Sequence, residues 1–214
     1  MSTPSKIKAA CPQCGKEFEA DVYMTLNDRH SETIVNELIT GQLFLYRCPD
    51  CGFEVRLEHD MFYNDTEHNS MVWVVHKNND KYSETIAELK ALELPSDVTT
   101  RIVGSMNALR EKASCFAAGL DDRVVELCKR YLAGRLLSDK PDFKLVNVFF
   151  TYVDKKPLVV FLNGEKGGEL SCVLAPDVYK VIAEMFKDDL AEDEPFAEYG
   201  PEWAMELFRT KHKD

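Results

Sequence analysis

Two stretches in the first sixty residues alternate hydrophobic and polar positions, which is the pattern of half-buried β-strands. Side chains of a strand point alternately to opposite faces, so the apolar members of each stretch are predicted to face a common interior. These members are Phe18, Ala20, Val22, Met24 and Leu26 in the first stretch and Phe53, Val55 and Leu57 in the second. The pattern therefore predicts two small β-units.

Between these stretches, the segment SETIVNELITG has helical periodicity. Ser31 is predicted to cap the amino terminus of a helix and Gly41 to end it. The apolar residues at three- and four-residue spacing share one face: Ile34, Val35, Leu38 and Ile39. We therefore expect an inserted helix that covers the strands.

Residues 82 to 138 also show helical periodicity and predict a helical connector or bundle. In GLDDRVVEL, Asp121 is predicted to cap a helix, because its carboxylate can accept a free backbone amide. Capping accounts for the pair Asp121 and Asp122 without catalysis. The apolar positions that define the helical periodicity are Ile86, Leu89, Ile102, Met106, Leu109, Val124, Leu127, Cys128 and Tyr131.

The last third of the chain predicts an antiparallel three-stranded meander followed by helices. Residues 143 to 153, 158 to 163 and 169 to 175 are strand-like, with DKKP and NGEKGG as the turns. Pro176 and Pro201 are each predicted to open a helix. The apolar faces of these helices comprise Val178, Val181, Ile182, Met185 and Phe186 in the first, and Trp203, Ala204, Leu207 and Phe208 in the second. The whole chain is thus predicted to be α+β.

Composition narrows the classes of function. The chain has 214 residues, of which 45% are hydrophobic and 29% are charged, and no apolar run approaches the roughly 18 residues of a membrane span. Its net charge of -11 repels phosphates, so nucleic-acid binding is disfavoured. The amino terminus has no apolar segment typical of a signal peptide, so a cytoplasmic location is expected.

Four of the seven cysteines form two similar knuckles, CPQCG from Cys11 and CPDCG from Cys48. Zinc prefers a closed tetrahedron of thiolates in structural sites, and two-residue spacing lets both cysteines of a pair converge from one tight turn. Gly15 and Gly52 suit the exits of these turns. The sequence predicts one structural Zn2+ per chain, with iron or a redox dithiol as the open alternatives. The predicted ligands are Cys11, Cys14, Cys48 and Cys51.

The two knuckles, together with LITGQLFLYRCPDCGFEVRL and MFYNDTEHNSMVWVV, resemble the CpXC domain family. The segments RIVGSMNALREK and GLDDRVVELCKRYL are similar to the region that accompanies this domain in bacterial members. The resemblance implies a zinc-ribbon-like domain over residues 1–80, with the same four cysteines as metal ligands. Residues 81–214 are then expected to form a helical and α+β domain of unknown function. The family is largely uncharacterised and has no catalytic motif that maps onto this chain.

Other residues that could carry chemistry have ordinary structural explanations. The set His59, Asp60, Asp65 and His68 offers metal ligands, but its irregular spacing favours a solvated loop. The thiols of Cys115, Cys128 and Cys172 have apolar neighbours and belong to no Cys-His motif, which favours packing over nucleophilic catalysis. NGEKGG lacks the Lys followed by Ser or Thr that a phosphate loop requires, which favours a hairpin.

These observations favour a zinc-binding cytosolic protein that serves as a scaffold for a protein partner, because the structural motif is strong and no catalytic motif accompanies it. An enzyme with an active site in the carboxy-terminal α+β region, or between lobes, is the alternative. Thiol redox sensing is a third hypothesis. Residues 184 to 206 contain nine acidic residues and one lysine, which leaves docking to a basic partner open.

Overall fold

A computed structural model describes residues 4–27, 32–164 and 167–211. Within them the chain is α+β and divides into two compact units, Met1–Ala113 and Ser114–Asp214. The predicted cap Ser31 lies outside the described residues. The predicted domain boundary between residues 80 and 81 stays a prediction. None of the helices in the described ranges combines the length and the hydrophobicity needed to cross a bilayer.

Two β-hairpins in the first unit carry the paired cysteines, and their apolar side chains share one small core. The strand pairs are β1 (Pro4–Ala10) with β2 (Glu17–Tyr23), and β4 (Leu45–Arg47) with β5 (Glu54–Arg56). The alternating pattern identified this core, which includes Phe18, Val22 and Val55. It was wrong for Met24 and Phe53, whose side chains are 41% and 42% exposed. Met24 follows the end of β2 at a bend, and Phe53 lies in the loop before β5.

A four-stranded mixed sheet, with strand order β3-β6-β7-β8, forms the rest of the β-structure in the described part of the first unit. Its strands are β3 (Thr25–Asn27), β6 (Met61–Asp65), β7 (Ser70–Val74) and β8 (Thr99–Val103). The prediction of helix around Ile102 was wrong, because Ile102 lies in β8 opposite Trp73. Residues 100–103 are all buried, and a short, continuously buried strand lacks the alternation that identifies half-buried strands.

Helices complete the first unit. The described helices that begin there are α1 (Glu32–Thr40), α2 (Tyr82–Lys90) and α3 (Met106–Ala117), and a 3-10 turn (Gln42–Phe44) follows α1. The predicted helix between the knuckles is confirmed: Leu38 and Ile39 are buried, and Gly41 ends α1 with φ of 81°. Helix α3 packs Met106 and Leu109 fully inside. The helical prediction was therefore correct for these last two positions.

The second unit contains the predicted antiparallel sheet, in the order β11-β10-β9. Its elements are α4 (Asp122–Asp139), β9 (Leu145–Val153), β10 (Lys156–Asn163), β11 (Glu169–Val173), α5 (Pro176–Met185) and α6 (Pro201–Lys211). Phe150, Val159 and Ile182 belong to one core that sheet and helices share. The predicted hairpin after β10 is confirmed by the antiparallel pairing and by the Asn163 amide, which donates to the Gly168 carbonyl at 2.8 Å. Residues 165–166 of that turn lie outside the described residues.

The boundaries of the helices in this unit follow local chemistry. Asp121 caps α4, because its side chain accepts a hydrogen bond from the Arg123 amide at 2.9 Å. The inward face of α5 was predicted only in part, since Val181 and Met185 are 60% and 49% exposed. Ile182 and its i+4 neighbour Phe186, both in the core, mark the true inward face. Val181 and Met185 form one row along the helix, and Ile182 and Phe186 form the neighbouring row. Spacings of three and four residues both suit a helical face, so periodicity alone did not show which row faces inward.

Replacing either of two glycines by alanine is expected to change the stability of the protein, with opposite signs at the two positions. Gly134 lies inside α4, and a Cβ added there would meet no atom within 4 Å. The substitution Gly134→Ala is expected to raise the free energy of unfolding by about 1 kcal/mol, because alanine is the better helix former. Gly119 follows the end of α3 with φ of 65°, a conformation that is costly for alanine. Gly119→Ala is therefore expected to lower the free energy of unfolding by about 1 kcal/mol. Urea unfolding followed by circular dichroism measures both changes, and changes of equal sign would contradict the prediction.

Candidate metal centre

Each CPxCG knuckle is the loop of a β-hairpin, and the two loops repeat the same backbone hydrogen bonds. In the first loop, the Cys11 amide donates to the Lys16 carbonyl at 2.9 Å, and the Gly15 amide donates to the Cys11 carbonyl at 2.8 Å. The equivalent bonds from the Cys48 and Gly52 amides are both 2.9 Å. Gly15 and Gly52 have φ of 72° and 74°, in the region that only glycine adopts without steric cost. The recurring glycine is therefore required by the turn.

The two loops bring the four cysteine sulfurs together. The Sγ atoms of Cys11 and Cys51 are 3.6 Å apart, and those of Cys14 and Cys48 are 3.8 Å apart. All four sulfurs lie within 4.8 Å of one another. In a tetrahedron with metal–sulfur bonds of about 2.3 Å, two ligands are about 3.8 Å apart. The donor set thus has the composition and the spacing of a tetrahedral metal site.

Each knuckle contributes one buried and one exposed cysteine. Cys11 and Cys48 are each 1% exposed and belong to the same small core as Phe18 and Val55. The second cysteine of each pair, Cys14 or Cys51, is exposed. The candidate site therefore lies at the edge of the hairpin core, with half of its ligands anchored in that core.

The four thiols alter one another's protonation. Burial raises the pKa of Cys11, but hydrogen bonds from the backbone of Cys14 and Gln13 and from neighbouring thiols lower it to about 7. A backbone hydrogen bond with Phe53 lowers the pKa of Cys51, whereas burial and the adjacent sulfurs raise it to about 12. Thiolates at this spacing repel one another, so a bound cation would favour the loss of all four protons.

A salt bridge joins the two knuckles beside the sulfurs. It runs from Lys16 Nζ to Asp50 Oδ1, so each loop supplies one partner. The hydrogen bond to Asp50, together with the charge of this carboxylate, raises the pKa of Lys16. This pair was not predicted from the sequence. Its available signal was the variable position of CPxCG, which is Asp50 in the second knuckle and Gln13 in the first.

The structure separates the residues that offered a second metal site. Asp65, at the end of β6, accepts hydrogen bonds of 2.9 Å from the backbone and the Nδ1 of His68. Asp60 precedes the other end of β6 and accepts from His76. In the ranges that the structure describes, the four cysteines form the only group of three or more potential metal ligands in which one donor atom from each lies within 4.8 Å of the others. Asp65 is nonetheless buried, at 3% exposure, so the expectation of a solvated loop was wrong for it.

A histidine–carboxylate cluster in the first unit had no signal in the sequence. His76 donates from Nδ1 to Asp60 at 2.8 Å and from Nε2 to Glu58 at 3.2 Å. The same Glu58 oxygen accepts from the Met106 amide at 2.9 Å, at the start of α3. Burial lowers the pKa of His76, but its bonds to Asp60 and Glu58 raise it above the ordinary value of 6.5. Glu58 thus ties His76, just after the end of β7, to the first turn of α3.

His59 has the opposite character. Burial lowers its pKa, and the nearby charge of His76 adds to that effect. Its Nε2 donates to the Tyr23 carbonyl at 3.0 Å, while Nδ1 is buried and has no hydrogen-bond partner within the described part of the chain. The arrangement fits a neutral ring, in which Nδ1 carries a lone pair.

The remaining thiols are placed as packing residues. Cys115 and Cys128 are 1% and 0% exposed, and Cys172 is partly buried. Burial raises the pKa of Cys128 to about 12 and also raises that of Cys172. A nucleophilic cysteine needs a lowered pKa and access to solvent. The prediction of packing is therefore confirmed for the two buried thiols.

Comparison with known proteins identifies one family. A family model described as CpXC protein matches residues 9–129, which is more than half of the chain. The matched range contains both knuckles and extends into α4, so it includes RIVGSMNALREK and most of GLDDRVVELCKRYL, which continues to Leu132. The resemblance inferred from the sequence is confirmed. No curated protein and no solved structure matches this chain.

The raised pKa of His76 predicts a pH-dependent stability of the first unit. A raised pKa in the folded state means that the stabilisation is fully present below pH 6.5 and is lost as the pH rises through the folded value. The free energy of unfolding of the wild type, minus that of His76→Gln, is expected to fall as the pH rises above 6.5 through the folded pKa. The folded pKa of His59 is lowered, so this residue changes the pH dependence of stability only below its ordinary pKa of 6.5. Urea unfolding across this range measures the difference, and a difference independent of pH would contradict it.

Proposed function

This chain belongs to the CpXC family, and on that basis we propose that it is a zinc-binding protein with one structural ion. The observation that carries the proposal is the convergence of the four cysteine sulfurs, which all lie within 4.8 Å of one another, with 3.6 Å between Cys11 and Cys51 and 3.8 Å between Cys14 and Cys48. Zinc is the metal best suited to a tetrahedron of four thiolates in a structural site. The proposed ligands are Cys11, Cys14, Cys48 and Cys51.

The proposed role of the site is to join two hairpins that are weak by themselves. An isolated two-stranded hairpin is only marginally stable in water. Here β4 and β5 have three residues each, and the shared core contains seven buried residues. Zinc, when bound, would offset two of the four thiolate charges and would link both loops. Four protein ligands fill a tetrahedron, so the site leaves no position for a catalytic water.

For the whole protein we propose a cytosolic scaffold that binds a protein partner. The support is indirect: buried Cys115 and Cys128 do not provide an accessible nucleophile, and the family contributes no catalytic motif. The net charge of -11 argues against nucleic acid as the partner. A metal-stabilised fold with no assigned chemistry is best explained as a surface for recognition.

The zinc proposal predicts one zinc ion per chain in the purified protein, with four sulfur neighbours at about 2.3 Å by X-ray absorption. Removing the ion with a chelator is expected to lower the amide protection of β1, β2, β4 and β5, because metal binding and folding are coupled. Cys11→Ser should reproduce this loss, while the matched control Cys172→Ser should not. Iron with the same sulfur shell would replace zinc in the proposal, and unchanged protection after chelation would contradict a structural role.

The scaffold proposal predicts a reproducible protein partner. Affinity capture of the intact chain from its native cells is expected to recover that partner with the wild type and with Cys172→Ser. Cys11→Ser is expected to recover less when the partner recognises the first unit, and the same amount when it recognises the second unit. Failure to recover any partner under conditions in which the chain retains zinc would count against a scaffold role.

A further inference from the structure

A groove on the second unit has no part in the zinc proposal. It lies between the carboxy-terminal half of α4 and helix α6 and has a volume of about 770 Å³. Half-buried apolar side chains line it, namely Tyr131, Met205 and Phe208. This volume lies within the roughly 300 to 1,000 Å³ that is typical of ligand-binding pockets. The groove therefore has both the size and the apolar surface that a bound side chain requires.

Three exposed arginines also line the groove: Arg130, Arg135 and Arg209. Arg130 forms no hydrogen bond or ion pair with any residue in the described ranges. A hydrogen bond with Tyr131 raises the pKa of Arg135, and the negative charge of Asp139 raises it further. Arg209 forms an exposed ion pair of 3.5 Å with a Glu206 oxygen and donates to the Met205 sulfur at 3.6 Å. The lining thus carries three arginines against one carboxylate, Asp139, although the chain as a whole has a net charge of -11.

Gly134 keeps the groove open. Glycine is unfavourable in the interior of a helix, yet Gly134 lies within the 18 residues of α4. No atom lies within 4 Å of the position that a Cβ would take, so packing inside the described fold does not require glycine there. Because Gly134 itself lines the groove, a larger side chain at this position would occupy the space.

We propose that this groove binds an acidic peptide segment of a partner protein. An apolar side chain of that segment packs on Tyr131, Met205 and Phe208, and its carboxylates bind the arginines. The guanidinium group presents paired donors that match a carboxylate, and tyrosine and arginine are both enriched in binding hot spots. This inference rests on the proposed scaffold function and assigns its docking surface to the second unit. Nucleic acid fits less well, because the net charge of -11 on the whole chain repels a long row of phosphates and the groove offers only three arginines against it.

The proposal is tested by selecting a random peptide library on the immobilised full-length protein. Enriched peptides are expected to combine Asp or Glu with Phe, Leu or Trp. The most enriched peptide, labelled with fluorescein, then serves as the probe in fluorescence polarisation. Its affinity is expected to fall at least about tenfold in the double variant Arg130→Glu/Arg135→Glu, because attraction becomes repulsion. The control Lys155→Glu/Lys156→Glu makes the same change of charge at two exposed residues, one in the turn before β10 and one at its first position, and should bind like the wild type.

A second variant tests the apolar part of the groove without changing charge. Gly134→Leu is expected to lower peptide affinity at least about tenfold while the urea midpoint stays the same or rises, because leucine is a better helix former than glycine. Gly134→Ala, with its small side chain, should retain most of the binding. Peptides that bind Gly134→Leu and the arginine double variant as tightly as they bind the wild type would overturn the proposal, as would enriched peptides without acidic residues.

Self-association is a separate outcome. If sedimentation shows a dimer that the arginine double variant abolishes, and no selected peptide competes with it, the occupant is a second copy and the partner proposal fails. Cell capture separates this inference from the scaffold function on which it rests. A partner recovered equally with wild type and with Arg130→Glu/Arg135→Glu would refute the groove and leave the scaffold standing.

Discussion

The meeting of four cysteine sulfurs at the tips of two hairpins is the constraint on which the amino-terminal part of this structure depends. Cys14 and Cys48 are 34 positions apart in the chain, yet their sulfurs lie 3.8 Å apart. The hairpins share a core of seven buried residues, two of which are Cys11 and Cys48 themselves. So small a core provides little hydrophobic stabilisation. The sulfur cluster and the core therefore support each other, and neither explains the arrangement alone.

Polar contacts organise the remainder of the first unit. Glu58, soon after the second hairpin, accepts hydrogen bonds from His76 and from the Met106 amide. A carboxylate near the first turn of a helix also interacts favourably with the positive end of the helix dipole. One side chain thus relates the end of β7 to the start of α3, whose first residue, Met106, is fully buried. The cluster links elements that are far apart in the sequence.

Charge in the second unit has two different uses. Arg123 donates to the Leu190 and Glu192 carbonyls at 3.2 and 2.9 Å and also pairs with the capping residue Asp121. It thereby holds the acidic segment between α5 and α6 against the start of α4, so that segment is part of the fold rather than a free linker. The arginines of the groove, near the other end of α4, lie at exposed positions. Helix α4 therefore combines a structural arginine at one end with a basic surface at the other.

The sequence by itself determined the features that act over a few residues. These include both glycine-terminated knuckles, the helix that ends at Gly41, the cap at Asp121 and the three-stranded meander, because turn geometry, capping and short-range periodicity are local properties. Tertiary structure alone decided that Ile102 lies in a strand, since that strand forms by pairing with β7, where Trp73 is its partner. It also decided which of the neighbouring rows on α5 faces inward, and it assembled the His76 cluster and the arginine-lined groove. The spacing of the cysteines identified the candidate ligands, whereas the distances that make them a tetrahedral set arise only when two remote hairpins pack together.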